Sequence, residues 1–203
     1  MSQEVRKQEP HSLWNHFADL NAVPRPSKME ERVRAFMVEF GKSLQLEVIE
    51  DAIGNVIMRK PATPGMEDRK SIILQSHLDM VHQKNNDTDF DFLTQGIQMI
   101  VEGDIIKANG TTLGADNGIG VASIMAVLSS SDIAHPAIEA LFTIDEETGM
   151  TGAMELDKNI LNSTILLNLD TEEDDENENA REYKQKKKLS LLRSTCACVC
   201  VFV

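Results

Sequence analysis

An imidazole and several carboxylates stand at the ends of apolar or glycine-rich runs along this chain. His77 and Asp79 close SIILQSHLD, Asp116 lies in TTLGADNGIGVASIMAVLSS, Glu146 and Glu147 follow IEALFTID, and Asp170 ends TILLNLD. Carboxylate oxygen and imidazole nitrogen form a donor set suited to zinc, manganese or cobalt. A two-metal hydrolase needs a carboxylate bridging cations ~3.5–4 Å apart, further ligands on each, and a base beside the attacking water. These residues supply most of that inventory. Each also has a plain structural reading: His77 and Asp79 as a polar strand end, Asp116 as the N-cap of the next helix, and Asp145, Glu146 and Glu147 as solvated loop acids. What joins them is placement, because open α/β sheets gather their sites at the carboxyl ends of strands.

The elements that would position them follow from periodicity. Leu13, Trp14, Phe17, Ala18 and Leu20 recur at helical spacing over His11–Leu20, and NAVPRP reads as a turn. Ser27 to Glu30, SKME, has the form of a capping box ahead of a helix with Val33, Phe36, Met37 and Phe40 on its buried stripe, ending near Gly41. Strands are expected at Leu44–Ile49 and Val56–Met58 around a turn at Asp51–Asn55, then through Ile72, Ile73 and Leu74. Gln83–Asp91 reads as a polar surface loop, and Ile105–Ala108 as a short strand before an Asn109-Gly110 turn. A helix follows over Ile119–Leu128, then a strand from Ile138, a short helix from Thr151 and a last strand over Thr164–Leu169. Gly114, Gly118 and Gly120 match neither the P-loop nor the dinucleotide spacing.

A length of 203 residues suits one domain with a sizeable core. The net charge of −13, from 33 acidic and 20 basic residues, disfavours a nucleic-acid backbone as partner. The start, MSQEVRKQEPHS, has no apolar signal region, and no stretch offers the ~18 apolar residues of a membrane span, so a cytoplasmic location is expected. Cys196, Cys198 and Cys200 all lie near the C-terminus and leave the body of the chain without a disulfide framework. His11, His16, His82 and His135 read as surface or packing residues.

The strings LQSHLDMV, GADNGIGVA, FTIDEETGMTGA and LLNLDTEE, in this order, resemble the co-catalytic zinc dipeptidases, the family of the aminoacyl-histidine dipeptidases, and NAVPRPSKMEERVRAF is similar too. The resemblance implies an α/β, three-layer zinc-peptidase-like catalytic domain with a mixed central sheet. It implies two zinc ions, with manganese or cobalt as alternatives, and a small dipeptide substrate of Xaa-His type. His77 and Asp170 would bind one ion, Glu147 the other, and Asp116 both; Asp79 would orient His77, and Glu146 would serve as the general base.

Beyond LDTEE the family pattern goes on to further strands, a lid or dimerisation domain and a last histidine ligand, whereas this chain continues DDENENAREYKQKKKLSLLRSTCACVCVFV. Residues 1–173 are therefore expected to be the N-terminal part of the catalytic domain, with the lid absent and family-like dimerisation in doubt. Residues 174–203 are expected to be a tail outside the family pattern, disordered over about Asp174–Lys188. The sheet is expected to keep an unpaired edge, although CACVCVFV has strand-like alternation. Two other readings stand beside an impaired dipeptidase: an inactive remnant or interaction module, and a related aminopeptidase or amidohydrolase of the same clan.

Overall fold

The computed structural model describes residues 3–170 and the backbone of 200–202. In chain order the elements are α1 (His11–Asn21), α2 (Glu31–Ser43), β1 (Glu47–Glu50), β2 (Val56–Lys60), β3 (Ile72–His77), β4 (Met99–Glu102) and β5 (Ile105–Ala108). They continue with α3 (Ala115–Ser129), β6 (Ile138–Thr143), α4 (Glu146–Gly149), α5 (Thr151–Met154), β7 (Ile165–Asn168) and β8 (Cys200–Phe202). The main sheet runs β1-β2-β6-β3-β7-β8, while β4 and β5 pair as a separate hairpin. β3 is parallel to β6 and β7, and β2 is antiparallel to β6, so the expected α/β fold with a mixed sheet is borne out.

Strand alternation sorts the core into two faces. Val56, Met58, Leu74, Ala140 and Phe142 pack with Val33 and Met37 of α2 and with Val121 and Ile124 of α3. Ile57, Ile73 and Leu141 point the other way, onto Leu156, Ile160 and Leu161. β6 is buried at every position, as a central strand covered on both faces should be. Its C-terminal end lies beside that of β3, where Ser76 pairs with Phe142 and His77 with Thr143.

Several local expectations are corrected. α2 starts only at Glu31, and its N-cap residue, Glu30, makes no side-chain cap bond. The Ser27 hydroxyl donates instead to the Met80 carbonyl at 3.2 Å, so a tertiary acceptor takes the group that the capping box would use. The first strand begins at Glu47 rather than Leu44, because α2 runs on to Ser43 and Leu44 still donates to Phe40 and Gly41 carbonyls. β4 escaped the sequence reading: Met99 and Val101 alternate over only four residues, too short a run for periodicity to single out. Cys200–Phe202 lie antiparallel along Leu166–Asn168, the pairing left open for CACVCVFV, so among the described residues the outer strand on this side of the sheet is β8 rather than β7. The rest of the tail, including the stretch expected to be disordered, lies outside the described residues.

Candidate metal centre

Neighbours of the candidate ligands hold one another before the ligands themselves are considered. Ser76, next to His77, donates its hydroxyl to the side-chain oxygen of Asn117, next to Asp116. Asn117 Nδ2 in turn donates to the carbonyl of Leu169, next to Asp170, at 3.2 Å. One polar chain thus sets β3, the start of α3 and the end of β7 in register. Asp116 and Asn117 have non-helical backbone angles although they lie within α3, and the turn that delivers them begins at Gly114, with φ 69°. A Cβ at Gly114 would meet the Arg25 guanidinium and the Met80 sulfur, so both conformation and space call for glycine.

His77, at 1% relative exposure, ends β3 with its ring fixed on both sides. Nδ1 lies 3.2 Å from Asp79 Oδ1 and 3.1 Å from the Asp79 carbonyl. Nε2 faces Asp116 Oδ1 at 3.2 Å, with Glu146 Oε2 and Asp170 Oδ2 each at 3.8 Å. Ligand atoms of His77, Asp116 and Asp170 all lie within 4.8 Å of one another. Two donors ~2.1 Å from one tetrahedral ion stand roughly 3.4 Å apart, so this set fits a cation. The field points the same way. Burial pushes the imidazole down, but hydrogen bonds to Asp116 and Asp79 and the charges of Asp79 and Asp170 outweigh it and raise His77 to about 10.

Asp79 is fully buried and joins the two sides of the site. Besides meeting His77, its Oδ1 accepts the Glu146 N–H at 3.0 Å and its Oδ2 the Glu147 N–H at 3.2 Å. Burial pushes its carboxyl up, but the His77 hydrogen bond, the Glu146 N–H and the His77 charge outweigh it, leaving Asp79 below the usual carboxylate range. Burial raises Glu146, and Asp170 and Glu147 add to the rise while His77 opposes it. Burial likewise raises Glu147, with the Asp116 charge as the next contribution. Glu147 forms no further group of three ligands at the 4.8 Å spacing among the described residues, whereas His77, Asp116 and Asp170 do.

Two residues of this neighbourhood escaped the sequence reading. Arg25, read as part of a turn, is 1% exposed. Its Nη1 donates to the carbonyls of Leu78 at 3.0 Å and Asp79 at 3.2 Å, and its Nη2 to Asn21 Oδ1 at 3.0 Å and the Gly114 carbonyl at 2.5 Å. Burial lowers its pKa to about 10, although Asp79, Asp116 and Glu147 pull it upward. Arg25→Met is expected to destabilise the metal-free protein by about 3–5 kcal/mol, because four buried or half-buried acceptors and the carboxylates lose their cation. Urea denaturation in EDTA measures this, and a loss below about 1 kcal/mol contradicts it. Glu30, read as a helix cap, is 5% exposed and reaches the loop that carries Glu146. A proline-flanked arginine offers no sequence signal for burial; for Glu30 the only hint was its place in SKME.

Among known proteins, the cytosol non-specific dipeptidase of Escherichia coli (strain K12) is 48% identical over 170 residues, which cover 84% of this chain and 35% of that protein. The aminoacylhistidine dipeptidase from Vibrio alginolyticus superposes with a TM-score of 0.82 at 48% identity, over 85% of this chain and 36% of that one. A tripeptidase from Staphylococcus aureus matches with a TM-score of 0.67 at 26% identity, over 80% and 43% of the two chains. The resemblance to the dipeptidases is thus borne out, and the chain spans about a third of the length of the two dipeptidases. The model of peptidase family M28 matches residues 55–196, a span that runs from β2 past β7 and holds His77, Asp79, Asp116, Glu146, Glu147 and Asp170; by that match the chain belongs to peptidase family M28.

Proposed function

We propose that this chain carries a divalent-metal site of the dipeptidase kind, serving hydrolysis of small dipeptides with a free amino terminus, Xaa-His among them. The observation that carries the reading is His77 Nε2 facing Asp116, Glu146 and Asp170 within 3.8 Å while Asp79 holds the opposite ring nitrogen. His77 and Asp170 would hold one cation, Glu147 the other, and Asp116 both. Zinc is the metal proposed, with manganese or cobalt as alternatives. When bound, the pair supplies Lewis acidity that polarises the scissile carbonyl and acidifies a water molecule.

The chain's own residues do the rest. Asp79 fixes the His77 ring and, through the Glu146 and Glu147 N–H groups, the loop carrying the base. Glu146 takes a proton from the attacking water at its carboxylate and delivers it to the amine nitrogen as the C–N bond breaks. Burial raises its pKa, making it a stronger base than a free glutamate. The dipeptidase names belong to the relatives, and their extension to this chain rests on the shared motifs. A cytoplasmic location is proposed on the same footing; among the described residues no helix is long and apolar enough to cross a membrane.

Elemental analysis and Xaa-His hydrolysis by the purified chain test the reading. The folded chain is expected to bind zinc, and His77→Ala to lose it. Glu146→Gln is expected to keep the metal while hydrolysis falls by about 10²–10⁴-fold. A folded chain without metal overturns the site. Metal binding without hydrolysis overturns catalysis by this chain and leaves the inactive remnant as its description.

A further inference from the structure

Three successive backbone N–H groups lead into the candidate base and ligand, and each meets a buried carboxyl from elsewhere in the chain. Asp145 N donates to Glu30 Oε1 at 3.1 Å, and the Glu146 and Glu147 N–H groups go to Asp79. Asp145 itself is left-handed, at φ 51° and ψ 41°, a conformation uncommon for a residue other than glycine. Its carboxylate accepts the Thr148 and Thr151 hydroxyls, the latter at 2.5 Å, which ties the loop to the following turn. Glu30 occupies the N-cap position of α2, where a carboxylate would ordinarily serve its own helix, yet it makes no cap bond there. Its Oε1 instead takes the Lys28 N–H at 2.8 Å and the N–H of Asp145, 115 residues away in sequence. Oxygens of Glu30, Asp79 and Asp145 lie within 4.8 Å of one another, but all three carboxyls already accept N–H or O–H donors, so this group is a scaffold.

We infer that Glu30 is a positioning residue: its acceptor oxygen latches the left-handed Asp145 turn to the start of α2 and thereby aims Glu146 and Glu147. The inference rests on the metal site proposed above. The quantity that matters is where the oxygen stands, and two substitutions separate this from charge. Glu30→Gln keeps an acceptor oxygen at the same reach and removes any negative charge. Glu30→Asp keeps the carboxylate but, one methylene shorter, withdraws it from the Asp145 N–H.

The readouts are hydrogen exchange of the 144–149 backbone in the metal-free chain and cobalt(II) affinity by spectroscopic titration. Glu30→Asp is expected to speed exchange on the order of tenfold and to weaken cobalt(II) binding by about 10–100-fold, with Glu30→Gln within about threefold of the parent on both. The reverse pattern, with Gln impaired and Asp intact, assigns Glu30 an electrostatic role and overturns the latch. Both variants impaired or both intact overturn it equally. If Glu30→Asp does not fold, Glu30→Gln decides alone, parent-like behaviour supporting the latch and impairment removing it. A parent chain that binds no cobalt(II) defeats the metal site, while the exchange measurement still judges the latch.

Discussion

Asp79→Ala is expected to weaken zinc binding by about 10–100-fold and to destabilise the metal-free chain by about 2–5 kcal/mol. Both effects come from one side chain with separate duties. Its loss removes the charged acceptor 3.2 Å from His77 Nδ1 and leaves only the neutral backbone carbonyl of residue 79, 3.1 Å away, to hold that side of the ring. It also leaves the N–H groups of Glu146 and Glu147 without the acceptors that hold them at 3.0 and 3.2 Å, in a half-buried setting where each lost acceptor costs about 1 kcal/mol or more. Asp79→Asn separates the duties, since it keeps one acceptor oxygen and gives up the charge that favours His77 as a cation. The pH dependence has a definite sign. A carboxyl held below its usual range stabilises the fold above its unfolded pKa, and that contribution disappears as pH falls through the folded value. The stability gap between parent and Asp79→Asn in EDTA should therefore be full at pH 6 and shrink below about pH 4. Calorimetric titration with zinc and urea denaturation in EDTA check both parts; parent-like zinc affinity in Asp79→Ala contradicts the orienting role.

The candidate ligands were legible because β-strand periodicity is a local signal and each polar residue follows an apolar or glycine-rich run. Ile72–Leu74 mark a strand, and the sheet then does what strand ends do, setting His77 beside Thr143. The motif strings added roles that spacing alone left open between a metal ligand and an N-cap. What stayed illegible is the support around them, because its partners lie far apart in sequence. Nothing in NAVPRP distinguishes a buried guanidinium bound to Leu78, Asp79 and Gly114 carbonyls from an exposed turn arginine. SKME misled for a related reason. Its serine and glutamate satisfy the local capping pattern, but the Met80 carbonyl and the Asp145 N–H compete for the same groups once the chain is folded. The Arg25–Glu30 segment therefore reads locally as a turn and a cap, yet in three dimensions it braces the loops that carry Asp79, Asp116 and Glu146.

Zinc binding to this chain near pH 7.5 is expected to release about one proton from His77, and its apparent affinity to fall about tenfold for each unit that pH is lowered there. In the metal-free site the imidazole is raised to about 10 because Asp116 and Asp79 bind its proton and outweigh burial. At neutral pH the ring is therefore already cationic, and Nε2 carries a proton toward Asp116 Oδ1, 3.2 Å away, where a metal ligand needs its lone pair. Metal and proton compete for one nitrogen, and binding the first expels the second. Stability of the metal-free chain follows the opposite sense to that of a depressed carboxylate. A histidine raised in the folded state contributes fully below its unfolded pKa near 6.5, and the contribution is lost as pH rises toward about 10. Melts in EDTA should accordingly lose stability from pH 7 to pH 10, and zinc should restore most of it at the upper end, where the proton no longer competes. Calorimetric titrations in two buffers of different ionisation enthalpy count the protons released. A count near zero for the parent at pH 7.5 would contradict a protonated His77 in the metal-free site.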